Sequence, residues 1–209
     1  MKFLTAEVYS VYKEISLLEI LSEFTFVGGS ALAWYLHHRL SEDLDFFTWK
    51  ETLPKETDGL IKTISASHKV EIANYTKESL DIIADGVKIT FFANNWEILK
   101  DNRIKTENNI YVANLDLLCA MKVHTLSLRA KYRDYYDLYV LNIEKYNLQE
   151  MFDIAVKFIP GMTKKIFSMQ ISYIEDIDDE NINHLEPKHI ISLKEIQSHF
   201  TRELKKAYF

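Results

Sequence analysis

The spacing of apolar positions changes repeatedly over the first half of the chain and then settles. Residues 3–22 carry apolar side chains at helical spacing, and the run "FTFV" is short and uninterrupted. Ser30 to about His38 is helical again, whereas "DLDFFTW" from Asp43 alternates as a strand does. A helical stretch at 55–67 precedes two further strand-like segments, "KVEIANY" and "SLDIIADGVKITFF". The second reads as a β-hairpin turning at Asp85-Gly86, a dipeptide that accepts the positive φ angles of a tight turn. After "NNIYV" the strand signals stop, and from "NLDLLCAMKVHTLSLRAKY" the spacing is helical to the C-terminus. Strands followed by a run of helices predict an α+β fold, with an N-terminal domain over 1–112 carrying the strands and a C-terminal helical bundle over 113–209. The acidic stretch "EDIDDENIN" at 175–183 reads as a solvated loop.

Composition narrows the function classes. With 209 residues, 47% hydrophobic and 13% aromatic, the chain can build a real core. Its formal net charge is -6, so no global field draws it to nucleic acid or anionic membrane, and a polyanion must be met by a local basic patch. Cys119 is the single cysteine, which excludes an internal disulfide and a Cys-based zinc site and suits a reducing cytoplasm. Glu7, Lys13 and Glu14 interrupt the first apolar run, and no apolar stretch reaches membrane-spanning length, so the expectation is a cytoplasmic protein that is neither exported nor inserted. The seven histidines show no metal-ligand spacing.

The densest chemistry lies in "GGSALAWYLHHRLSEDLDFF", residues 28–47. Only five glycines occur in the chain, and two stand together between a strand and a helix. Such a turn frees backbone N–H groups, and the helix N-terminus adds more, which makes a seat for phosphate oxygens at Gly28, Gly29 and Ser30. Taken alone, Gly-Gly-Ser reads first as a strand-to-helix turn with Ser30 as N-cap; it is not a Walker loop, which needs Lys-Ser/Thr. Asp43 and Asp45 then share one face of a strand while Leu44 and Phe46 point to the other. Two adjacent carboxylates repel unless a divalent cation lies between them, and Mg2+ favours one or two carboxylates completed by water and substrate phosphates. A phosphate seat followed by a metal pair, one helix apart, is more specific than either part.

A glycine-rich turn with Ser, a helix and Asp-x-Asp on the next strand resembles the nucleotidyltransferase superfamily that includes DNA polymerase beta. The longer string is more similar to the AbiEii/AbiGii toxin family, whose Arg-x-Ser-x-Asp-hydrophobic-Asp-Phe-Phe pattern is matched by Arg39, Ser41, Asp43, Asp45, Phe46 and Phe47. That family also carries a helical lysine followed by Arg-Asp-x-x-Asp, here Lys122 in "CAMKVHTL" and Arg133, Asp134 and Asp137 in "YRDYYDLYVL". The resemblance covers roughly residues 24–141. If 115–141 were one unbroken helix, Lys122, Arg129, Arg133 and Asp137 would lie within roughly 80° of one another, with Leu117, Met121, Leu128, Tyr132, Tyr135 and Tyr139 on the adjoining apolar face. The alternative is a turn near Lys131 with a new helix opened by Asp134 and Asp137, and Arg133–Asp137 an ordinary i,i+4 pair.

The resemblance implies a mixed sheet with flanking helices and a Mg2+-dependent nucleotidyl transfer. Asp43 and Asp45 would hold the metal, and Gly28, Gly29, Ser30 and Lys122, with Arg39 and Arg133, would meet a nucleoside triphosphate. An acceptor hydroxyl would attack the α-phosphorus and pyrophosphate would leave. Many superfamily members place a third carboxylate on a later strand, where this chain has Thr90 in "GVKITFF". Either Asp137 takes part of that role or catalysis is weakened. The acceptor implied is an RNA end, above all that of tRNA, reached through a local basic groove to which Lys88, Arg129, Lys131 and Arg133 would contribute, and an antitoxin protein is the implied partner. Two alternatives stand beside it: a small-molecule or protein nucleotidyltransferase, and a nucleotide-binding module without strong catalysis.

Overall fold

The computed structural model describes residues 3–174, 177 and 181–207, so most of the acidic 175–183 stretch lies outside the described residues. The chain divides into two units, Met1–Asn114 and Leu115–Phe209.

Among the described residues, all the strands lie in the N-terminal unit. Its elements run α1 (Ala6–Ile15), β1 (Thr25–Val27), α2 (Gly28–Leu36), β2 (Asp43–Thr48), α3 (Thr57–Ser65), β3 (Val70–Tyr75), β4 (Ser79–Ala84), β5 (Val87–Ala93), α4 (Ile98–Asp101), β6 (Arg103–Lys105) and β7 (Tyr111–Ala113). The strands form one seven-stranded sheet in the order β3-β4-β5-β2-β1-β7-β6. It is mixed: β2–β5 and β1–β7 are parallel, and the other neighbours are antiparallel. The hairpin turns at Asp85-Gly86, where both residues take positive φ. Phe24, Phe26, Phe46 and Phe91 pack as a chain of rings 5.1–5.5 Å apart on the covered face. Contacts of this kind add about 0.5–1.5 kcal/mol per pair beyond the area they bury.

The helix expected over residues 3–22 is two pieces, α1 and a 3-10 turn at Glu19–Glu23. Three bonds explain the break. The Ser16 hydroxyl donates to the Lys13 carbonyl, Asn109 N–H donates to the Ser16 carbonyl, and Asn108 Nδ2 donates to Ser16 Oγ. A distant loop thus satisfies the groups that a continuing helix would use. The short elements α4 and β6 carry too few residues to show a period, and the sequence reading has no counterpart for them.

The C-terminal unit contains α5 (Leu115–Leu128), α6 (Tyr132–Glu144), α7 (Leu148–Phe158), α8 (Lys164–Ser172) and α9 (Leu193–Ala207). Helix α5 packs on α6, α7 and α8, and α9 closes against α6, α7 and α8. Tyr135, Tyr136, Met151, Phe167 and Phe200 are fully buried between them. Among the described residues no helix is long and apolar enough to cross a membrane.

Candidate active site

Strand β2 alternates as its sequence demands: Leu44, Phe46 and Thr48 are buried, while Asp43, Asp45 and Phe47 are half-buried on the opposite face. Its start is fixed by the N-terminus, since Ser41 N–H donates to the Phe3 carbonyl and Thr5 N–H to the Ser41 carbonyl. Val27, the last residue of β1, lies opposite Asp45, and the chain turns there into Gly28 at φ +75°. A Cβ on Gly28 would lie 2.2 Å from Asp45 Oδ2, and one on Gly29 would lie 2.7 Å from Arg39 Nη2. No side chain fits at either position unless the carboxylate or the guanidinium gives way. The paired glycines are therefore explained by close approach: the turn's backbone is pressed against the Asp45 carboxylate on one side and the buried Arg39 on the other.

Ser30 does something its sequence position does not reveal. It is 1% exposed, and its hydroxyl donates to the Asp43 carbonyl, which ties the first turn of α2 to the start of β2. Arg39 is also buried and donates from Nη1 to the Leu40 carbonyl at 2.9 Å. Both residues shape the turn and strand that carry the carboxylate pair.

Register extends the site sideways. Strand β5 sets Lys88 opposite Asp43 and Thr90 opposite Asp45, and β4 sets Asp81 opposite Thr90. Residues aligned across a sheet share a face, so Asp45, Thr90 and Asp81 form one row. The Thr90 hydroxyl donates to Asp81 Oδ1 at 2.8 Å, and Asn74 Nδ2 approaches Asp81 Oδ2 at 3.5 Å. Sequence reasoning missed Asp81, although counting outward from the Asp85-Gly86 turn pairs it with Thr90. Lys88 is exposed on the same face.

In the helical unit, Lys122 on α5 is paired with two carboxylates of α6: Asp137 Oδ2 at 2.6 Å and Asp134 Oδ1 at 3.0 Å. All three are buried, Asp137 completely. The single stripe expected over 115–141 is replaced by the alternative, a break at residues 129–131 between α5 and α6. Leu128, expected on the apolar face, is accordingly 75% exposed at the end of α5, while Tyr132 and Tyr135 are buried on α6. Asp134 and Asp137, three apart on α6, present one face to Lys122. Arg129 and Lys131 are exposed at the break and Arg133 is half-buried. Cys119 is buried in α5, and desolvation pushes its thiol far above the usual range.

One family model covers most of the chain. Residues 11–206 match the family model of the nucleotidyl transferase AbiEii toxin of type IV toxin–antitoxin systems. Protein aq_aa25 of Aquifex aeolicus (strain VF5) is 26% identical over 206 residues, covering 98% of each chain. Among solved structures, JHP933 of Helicobacter pylori is similar at 16% identity and TM-score 0.53, over 97% of this chain and 94% of that one. The nucleotidyltransferase toxin MenT4 (Rv2826c) of Mycobacterium tuberculosis H37Rv is similar at 12% identity and TM-score 0.55, over 95% of this chain and 84% of that one.

Proposed function

Because the chain belongs to the AbiEii family of nucleotidyltransferase toxins, we propose that it transfers a nucleoside monophosphate from a triphosphate to a hydroxyl at an RNA end, foremost the acceptor end of tRNA. The observation that carries this reading is the carboxylate pair on one face of β2, with Asp45 lying against the Gly28 backbone. Two half-exposed carboxylates on one strand face are hard oxygen donors, which fits Mg2+. Among the described residues no three His, Cys, Asp or Glu side chains gather to hold a metal by themselves. Asp43 and Asp45 would thus be the protein's ligands, with water and phosphate oxygens completing the shell. When bound, Mg2+ supplies charge neutralisation on the phosphates.

The rest falls to the chain's own groups. The N–H groups of the Gly28-Gly29 turn and the first turn of α2 receive phosphate oxygens, and Ser30 and Arg39 keep that turn and β2 in place. Lys122 and Arg133, which the resemblance assigned to the triphosphate, belong to the helical unit, where Asp134 and Asp137 hold the Lys122 ammonium. Asp137 in this reading is a positioning residue for Lys122, not the base. Lys88, Arg129, Lys131 and Arg133 are the cations that would meet RNA phosphates despite the acidic net charge. The cytoplasm is the expected site of action, and an antitoxin is the expected protein partner, as the family's description implies.

The test is to incubate the protein with each labelled triphosphate, Mg2+, and total RNA, cell protein or aminoglycosides. Label should enter the RNA fraction, and Asp43→Asn and Asp45→Asn should abolish it with an unchanged circular dichroism spectrum. Full activity in either variant removes the proposed mechanism. Label in protein or aminoglycoside instead moves the assignment to the corresponding transferase.

A further inference from the structure

Thr90 stands beside Asp45 on the neighbouring strand β5, and its hydroxyl hydrogen is committed to Asp81 one strand further along. A hydroxyl that donates to a carboxylate has its lone pairs left to accept from another group. Adjacent strands are about 4.8 Å apart, so Thr90 lies one strand from Asp45, and both Thr90 and Asp81 are half-buried on the face of the carboxylate pair. A threonine hydroxyl alone is too weak a base; a carboxylate behind it supplies the basicity.

We propose that Thr90 and Asp81 form the proton relay that activates the acceptor hydroxyl. The proposal rests on the transfer reaction described above. In the step, the acceptor oxygen forms its bond to the α-phosphorus as its proton passes to Thr90 Oγ1, and the Thr90 proton passes to Asp81 Oδ1. The bond from the α-phosphorus to the bridging oxygen breaks, and pyrophosphate leaves with that electron pair. Asp81 then returns its proton to water, and Thr90 is restored unchanged. Thr90 is the catalytic residue of the relay and Asp81 the group that acts through it.

The relay is tested in the RNA-labelling assay with total tRNA as acceptor, using Thr90→Val, Asp81→Asn, both together, Thr90→Ser, and Thr90→Asp combined with Asp81→Asn. General-base loss typically costs about 10²- to 10⁴-fold, so Thr90→Val and Asp81→Asn should each lower kcat by about 100-fold or more with KM for the triphosphate nearly unchanged. Because the two act in series, the double variant should be no worse than the weaker single one. Thr90→Ser should keep activity, and Thr90→Asp with Asp81→Asn should recover most of it by placing a carboxylate directly in the row beside Asp45. Near wild-type kcat in either single variant overturns the relay, as do losses that multiply in the double variant. So does a loss that tracks a fall in melting temperature and is not restored by Thr90→Ser. If the wild-type protein labels no RNA, the transfer reading itself fails and the relay with it; if it does and Asp45→Asn abolishes labelling while Thr90→Val does not, the relay alone fails.

Discussion

At the scale of single residues, Gly28 carries the sharpest consequence. Its φ of +75° disfavours any L side chain, and an added Cβ would collide with the Asp45 carboxylate. Gly28→Ala should therefore cost about 1–3 kcal/mol of stability and displace the carboxylate, lowering turnover nearly as far as Asp45→Asn does. Gly86 is the control: it has φ +86° but open space where its Cβ would be. Gly86→Ala should pay the backbone strain and keep activity. Thermal melts and turnover measured on both variants separate strain from site geometry; an active Gly28→Ala enzyme would contradict the close approach assigned to Asp45.

At the scale of elements, the cluster between α5 and α6 decides how Lys122 behaves. Removing one partner from a buried ion pair leaves uncompensated charge, at about 3–5 kcal/mol. Lys122→Ala leaves the two buried carboxylates of Asp134 and Asp137 without their ammonium, so it should melt substantially earlier as well as lose turnover. A variant that loses turnover with an unchanged melting temperature would mean that Lys122 serves the triphosphate alone. The start of α7 offers a smaller test. Glu150 N–H donates to Asn147 Oδ1, and Asn147 N–H donates to Glu150 Oε2, a reciprocal capping box. Asn147→Ala should lower stability by about 1 kcal/mol with no effect on catalysis, as read by denaturant unfolding.

For the molecule as a whole, His199 gives a pH dependence of known sign. Its pKa is lowered, first by desolvation and then by the nearby cations Arg202 and Lys206, against the opposing pull of Glu203. The neutral ring is used twice: Nε2 donates to Asn142 Oδ1, and Nδ1 accepts from Arg202 Nη2. Because the folded protein binds this proton less readily than the unfolded chain, the contribution is present above the ordinary imidazole pKa and is lost as pH falls below about 6.5. Unfolding free energy should decline from pH 7.5 to pH 5.5, and His199→Gln should flatten that decline; an unchanged slope would remove His199 as its source. Cys119, buried with its thiol pKa raised, should resist alkylation in the native state and react only on global unfolding.

Local chemistry controls the features that could be read along the chain. Alternation placed Asp43 and Asp45 on one face of β2 because side chains in a strand have a period of two, and Asp85-Gly86 located the hairpin because few dipeptides accept its angles. The scarcity of glycine marked the turn at Gly28 and Gly29. Tertiary structure decided the rest. The partners that need the glycines, Asp45 and Arg39, become visible only when β2 lies against the turn. Ser30 ties α2 to β2 because the Asp43 carbonyl falls within its reach. Helix α1 stops at Ser16 because residues from a distant loop take its bonds. The break between α5 and α6 exposes Leu128 and turns a supposed single stripe into a buried ion cluster. Asp81 joins the row of Asp45 and Thr90 through strand order, and order in a sheet is a property of the assembled fold, since no period along one strand records which strand lies beside it.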